Sequence, residues 1–415
     1  MKGILIDMIE KLKAIFNSVG PGFIMAAVVL GPGSITTSTE IGSTQGYAFL
    51  WVVLAAAVLM IVYTNMSTRF GTLHSGSILE VIAKEYGRWF AICIGASSFL
   101  AALCFQFGNN LGVGIGMESL TGLNAEYWPF IFTPLAIVLI FFSKNLYKAL
   151  EKLMMLLVMI MIFTFVVNVI FIKPDMVEVL KGFVPNEFSV GFLGHLTAIV
   201  GTTFVLNGAL YQSYLVQDKG WGLKDMGKSI RDSTLGIILL AMMSLLVIIT
   251  AAATLKPLGI TVNSAADMAL QLELLLGKYA KYIFSFGFIA AAFSSLIVNA
   301  VIGGGLLSDG LGLGKSMSEK FPKLFTILIL LVGMVIASYV SKGLGKPVYL
   351  LILAQAFSML AVPTIAIGIF LITNNKKVMG EYKNGVLQNV MGVIGLIIVG
   401  ALTYAMYLKV SSYFS

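Results

Sequence analysis

Polar side chains set inside long apolar runs are where this sequence can do chemistry. Glu40 lies seven residues past Gly33, about 700° of helical turn, so the two share nearly one face. Its carboxylate can attract a cation, carry a proton, or hydrogen-bond to the hydroxyls around it. His195, at the start of another apolar run, is suited to an interfacial role or to proton exchange. Gln106, Asn109 and Asn110 put three amides at i, i+3 and i+4 on one helix face, fit either to join two helices or to contact a solute. Two further stretches carry no charge but interrupt the backbone. They are Gly31-Pro32-Gly33-Ser34, and the segment from Gly201 to Gly208 that holds Thr202, Thr203 and Asn207. Proline has no N–H to give and glycine costs about 1 kcal/mol inside a helix, so both stretches free backbone groups. No carboxylate pair, metal-ligand cluster or nucleophile beside a base is evident, which argues against an enzyme, and no cofactor pattern appears.

The elements that position these residues are membrane spans. Of the 415 residues, 58% are hydrophobic and 11% charged, and the mean hydropathy is +0.96. A soluble chain of this size carries about 25% charged residues. Apolar runs near 18–45, 47–66, 91–117, 127–143, 153–172, 191–216, 233–254, 282–307, 324–341, 348–373 and 387–408 each suffice to cross a hydrocarbon core about 30 Å thick. Eleven spans are therefore expected, in an all-α integral membrane protein.

Orientation follows from the basic residues, which stay on the cytoplasmic side during insertion. With the N-terminus inside, 19 of the 27 lysines and arginines fall in cytoplasmic segments, and the odd span count leaves the C-terminus outside. The same bias accounts for the net charge of +8 without nucleic acid as a partner. Residues 1–17 read as an amphipathic helix on the cytoplasmic surface of the bilayer, expected to be a prokaryotic plasma membrane. Cys93 and Cys104 share one span, about 16 Å apart along it, too far to bond to each other.

The two breaks fall in spans 1 and 6. Freed backbone groups at membrane depth are tolerated only inside protein or beside a wet cavity. Spans 1 and 6 are each the first of five, and an odd number of helices inverts one set against the other. This arrangement predicts an inverted-repeat transporter with its site between discontinuous helices. The expected division is 18–172 for the first repeat, 191–373 for the second, and 387–408 for an added eleventh span.

The residues also resemble a family. "GPGFIMAAVVLGPGS" and "GYAFLWVVLAAAVLMIVYTNMSTRFG" are similar to the first two spans of the NRAMP proton-coupled divalent-metal transporters. "AIVGTTFVLNGALYQSYLVQ", "FGFIAAAFSSLIVNAVIGGGLLSDG" and "LILAQAFSMLAVP" resemble their sixth, eighth and tenth. The resemblance implies a LeuT-type fold of 5+5 inverted repeats plus one, with helices 1 and 6 discontinuous. The family's Asp-Pro-Gly-Asn and Met-Pro-His are not kept. Gly31 and Ser34 replace the aspartate and asparagine, and Val205, Leu206 and Asn207 replace the second motif. A second histidine becomes Gln212, and the acidic pair tied to proton movement falls on Gln106 and Asn109; Gln355 survives.

The resemblance thus implies a substrate site of Gly31, Ser34, Thr202, Val205 and Gln355, with Gln106, Asn109 and Asn207 at or near it. Glu40, His195 and Gln212 are the expected coupling or vestibule residues, and a neutral centre roomier than that of its relatives is expected. A dehydrated Mn²⁺ or Fe²⁺ needs negative charge or strong ligands, and both are missing, so no metal ligand is assigned. The expected activity is alternating-access transport of a small inorganic ion, such as hydrated Mg²⁺ by family analogy. A small anion or polar solute is the alternative, favoured by helix N-termini facing the centre without an acid. A non-transporting receptor on the same scaffold is the alternative of another class. Asp309, at the inner end of span 8, is expected to pair with a basic loop at a cytoplasmic gate.

Overall fold

A computed structural model describes residues 30–142, 144–185, 193–343 and 347–411. The expected surface helix at 1–17 and the first half of span 1 lie outside them. The described chain runs through α1 (Pro32–Gln45), α2 (Leu50–Leu73), the short α3 (Ile78–Tyr86), α4 (Arg88–Thr121), α5 (Pro129–Phe142) and α6 (Lys144–Ile172). It continues through α7 (Leu193–Thr203), α8 (Leu206–Asp218), α9 (Met226–Thr254), α10 (Ala280–Leu311), α11 (Lys320–Gly343), α12 (Pro347–Ser358), α13 (Val362–Asn374) and α14 (Val386–Ser411). Among the described residues, nine helical stretches are long and apolar enough to cross a membrane. Together with α1 and the shorter apolar helix Leu156–Ile172, they fill the eleven span positions.

Span 6 is two helices. α7 stops at Thr203, Val205 leaves the helical region with φ −86° and ψ 84°, and α8 begins at Leu206. Span 10 carries a third break that the sequence reading lacks. Between α12 and α13 the chain tightens into turns in which Met359, Leu360 and Ala361 bond back three residues. Pro363, near the start of α13, cannot donate to that ladder, which is the physical reason the helix restarts there.

The scaffold that holds these breaks is a close-packed seam between α4 and α10. A Cβ at Gly95 would sit 2.7 Å from the Leu306 carbonyl, and one at Gly310 would sit 2.6 Å from that of Ala91. Small residues let the two backbones touch, the usual way membrane helices gain packing where hydrophobicity gives none. A second fixed point is Arg69 at the end of α2, 7% exposed. Its guanidinium donates to the carbonyls of Tyr382 and Lys383 and to Oδ1 of Asn384, tying span 2 to the link between spans 10 and 11.

Candidate substrate site and its two ends

The chain leaves Gly31 extended (φ −92°, ψ 179°) and enters α1 with Pro32 in the first turn, where a missing N–H costs no bond. α8 starts at the other break. Neither helix has a side-chain cap at its N-terminus. The two starts face a cavity lined by Gly31, Gly33, Ser34, Phe105, Asn109, Thr202, Val205, Ser295, Asn299 and Gln355. The space open to the centre of a water-sized sphere is about 20 Å³, enough for one small occupant.

Side chains pack closely around the two glycines of the break. Ser295 Oγ lies 2.9 Å and Asn109 Oδ1 3.4 Å from where a Gly31 Cβ would be. The Gln355 amide packs across Gly33, in the space its Cβ would take, and approaches Gly108 on the other side. Side chains from spans 3 and 8 fill the volume beside Gly31, and one from span 10 fills that beside Gly33.

Of the residues assigned from sequence, Gly31, Ser34, Asn109, Thr202, Val205 and Gln355 meet at this cavity. Gln106, Asn207 and Gln212 do not line it. Gln106 is fully buried against Gly333 of α11, with neither end of its amide bonded. Asn207 uses Oδ1 to accept the Gly208 N–H at 3.0 Å, which leaves its Nδ2 as an unbonded donor. Gln212 is buried with both amide atoms unbonded. Of the three amides on the face of α4, Asn110 is the joint between helices, accepting from Thr133 at 2.9 Å. Asn109 Nδ2 is buried and unbonded.

The reading from sequence missed Phe105, Ser295 and Asn299. The signal for the last two was a polar pair at i and i+4 in an apolar helix, which meets one neighbouring surface. Asn299 Nδ2 donates to the Ser295 carbonyl at 3.0 Å, so its Oδ1 is the end left to accept. Among the described residues that line the cavity, none brings a carboxylate, an imidazole or a sulfur. No group of three or more His, Cys, Asp or Glu occurs among the described residues.

The two ends of the bundle differ. Glu40 and His195 line one cavity of about 720 Å³ with Thr197, Tyr349, Tyr404 and apolar residues of α7, α12 and α14. Gly33 and Glu40 on α1, and Thr202 and His195 on α7, are each seven residues apart. The wide cavity therefore sits about 10 Å from the centre along both helices. Gln212, grouped with Glu40 and His195 from sequence, is not part of it.

At the other end Asp309 is 6% exposed and accepts the Tyr214 hydroxyl at 2.6 Å. Lys315, in the loop that follows α10, is near enough to act on the Asp309 charge, and Arg88 donates to the Asp309 and Gly310 carbonyls at 3.3 and 3.4 Å. A phenol suits a buried carboxylate because it satisfies the charge by a hydrogen bond without burying a second ion. Gln217 adds bonds to the carbonyls of His74 and Gly76, holding α8 to the end of α2.

This architecture of broken helices around a central cavity is that of the LeuT-type transporters. Mhp1, a nucleobase-cation-symport-1 family transporter, superposes with a TM-score of 0.59 at 15% identity, covering 95% of this chain and 93% of that one. A manganese transporter of Eremococcus coleocola superposes with a TM-score of 0.79 at 19% identity, covering 97% and 87%. The model of the Nramp family, natural resistance-associated macrophage protein-like, matches residues 22–409. The chain belongs to that family. A divalent metal cation transporter MntH of Caldanaerobacter subterraneus is 25% identical over 92% of this chain and 91% of its own length.

Proposed function

We propose that the protein is a secondary transporter that moves a small inorganic ion by alternating access, and that its centre does not hold a dehydrated transition metal. Membership of a family whose curated relatives are named divalent metal cation transporters supports the ionic cargo. The neutral lining of the central cavity carries the second half. Mn²⁺ or Fe²⁺ stripped of water needs charge or a soft ligand to replace its hydration, and serine, threonine and amide oxygens supply neither. A hard ion that keeps part of its water, such as Mg²⁺, makes the smaller demand. The closed cavity of about 20 Å³ admits no hydration shell, so such an ion passes only while the centre is open. The inverted repeats at 18–172 and 191–373 each supply one broken span, 1 and 6, which move against the close-packed seam of α4 and α10. The distribution of lysine and arginine supports a Glu40 end outside and an Asp309 end inside.

A small anion is the second reading, favoured by one observation. α1 and α8 start at the centre without side-chain caps, and Asn109 adds a buried unbonded donor.

Uptake into proteoliposomes tests the proposal, with Mg²⁺, Mn²⁺ and halides each offered with and without a pH gradient. Mg²⁺ flux exceeding Mn²⁺ flux is the expected result. Mn²⁺ uptake that drives proton movement would overturn the reading of the neutral centre, and halide flux alone would establish the second reading. Binding without any flux would leave a receptor.

A further inference from the structure

The link between spans 7 and 8 carries a buried amide that lines neither cavity. Gln271 lies in the turn Leu270–Leu272, directly after the short helix Ala265–Ala269, and is fully buried. Its Oε1 accepts the Thr250 hydroxyl of α9 at 2.8 Å. Its Nε2 donates to the Met268 carbonyl at 2.8 Å and to Thr39 Oγ1 of α1 at 3.3 Å. Its own carbonyl accepts from Nδ2 of Asn168 in α6 at 2.7 Å. Thr39, Asn168 and Thr250 are fully buried as well, so one residue joins spans 1, 5 and 7 where bulk water does not compete for the bonds.

The short helix that carries this amide is itself fixed. Ser264 Oγ accepts the Asp267 N–H at 3.1 Å while Asp267 Oδ2 accepts the Ser264 N–H at 2.9 Å, a reciprocal cap. Met268 and Leu272 share an apolar cluster with Val247 and Ala251 of α9. α1 lies against the same helix, since a Cβ at Gly42 would sit 2.6 Å from the Ile248 carbonyl. α7, across the wide cavity, is outside this set of bonds. Its Thr197 and Thr202 donate back into α7, and its Ala198 packs with Ala356 and Met406.

α1 is one unbroken helix from Pro32 to Gln45. A tether at Thr39 therefore reaches Ser34 through five residues, about 7.5 Å, of hydrogen-bonded backbone. We propose that Gln271 is a positioning residue for the central site. It clamps α1 to spans 5 and 7, so that Gly33 and Ser34 keep their place in the cavity and span 1 carries both neighbours when it moves against the α4 and α10 seam. The functional half of this inference rests on the proposed alternating-access transport, and the clamp itself does not.

The test uses the full-length chain in lipid nanodiscs, with Cys93 and Cys104 replaced by alanine and pairs of spin labels read by pulsed electron resonance. Labels at Thr44 and Leu235 gauge α1 against span 7, and labels at Leu274 and Leu235 gauge the link against it; all three positions are exposed. Both pairs should give one narrow distance. Thr39→Val should turn the first into a broad distribution and leave the second narrow, and Gln271→Leu should broaden the first as well. Thr39→Ser keeps the hydroxyl and should keep the narrow distance. Mg²⁺ flux into proteoliposomes should fall about fivefold in Thr39→Val, the worth of one hydrogen bond, and recover in Thr39→Ser. Unchanged distances in both Thr39→Val and Gln271→Leu overturn the proposal. So does a Thr39→Ser distribution as broad as that of Thr39→Val, which would make the methyl group the tether. Broadening of both pairs in Thr39→Val would be general loosening, and normal flux beside a broadened first pair would deny the positioning role; either overturns it. The distances are read without cargo, so a chain that carries no Mg²⁺ refutes the transport reading while the widths still decide the clamp.

Discussion

The Glu40 end and the Asp309 end each bring one carboxylate toward the interior, and they treat it in opposite ways. Asp309 is sewn in by the Tyr214 hydroxyl, while Arg88 and Gln217 fasten the surrounding carbonyls. Glu40 has no ion-pair partner among the described residues and borders about 720 Å³ of space. The difference teaches how the two ends are built: specific hydrogen bonds fasten the Asp309 end, whereas the described residues at the Glu40 end surround a wide space. The centre between them is tight because Gln355 and Ser295 close over Gly33 and Gly31.

The largest effect expected from perturbing this contrast is at the centre. Gly33→Val drives two methyl groups into the Gln355 amide and should abolish flux, by more than a hundredfold in proteoliposomes. Flux near the level of the unmodified protein would mean that the path does not run between the two breaks.

Next in size is Tyr214→Phe, which leaves the buried Asp309 carboxylate without its phenol. The loss should be about 1–3 kcal/mol, the usual cost of an unsatisfied buried group. It should appear as a lower thermal midpoint and as faster labelling of a cysteine introduced at Ser308. No change in either would show that the Asp309 end is closed by packing alone.

Ser34→Asp places a carboxylate in the neutral cavity. It should raise Mn²⁺ affinity at least tenfold in calorimetry, about 1.4 kcal/mol. It is the better site than Gly31, where any side chain must first displace Ser295. The smallest effect is expected from Gln106→Leu. Its amide is buried with both ends unbonded, so an apolar group of similar size should change thermal stability by less than about 1 kcal/mol. A larger loss would mean that the amide holds a water or an ion.

Much of this was legible in the sequence because it rests on local chemistry. Apolar length gives the spans, Pro32 and the glycines around it give the break in span 1, and the seven-residue spacing from Gly33 predicts which face Glu40 takes. The break in span 10 was not legible, because Pro363 two residues into a helix reads as an ordinary start. The size of the centre was not legible either. It depends on which way Gln355 folds and how near Ser295 comes, and both are set by helix packing across more than 250 residues of sequence. At Asp309 the charge pattern pointed to the basic loop, and Lys315 of that loop acts on the carboxylate. The direct hydrogen bond from Tyr214 spans 95 residues of sequence, so only the fold brings it into view.

Arg69 has a further consequence, for the order in which the protein is made. Its three hydrogen-bond acceptors come 313 to 315 residues later in the chain. During synthesis the guanidinium therefore enters the membrane region long before anything exists to satisfy it, and it must stay in contact with water or lipid headgroups until span 10 has been threaded. Span 2 cannot settle to its final depth before then. The bond to Asn384 is thus a completion signal, a contact that forms only when ten of the eleven spans are in place.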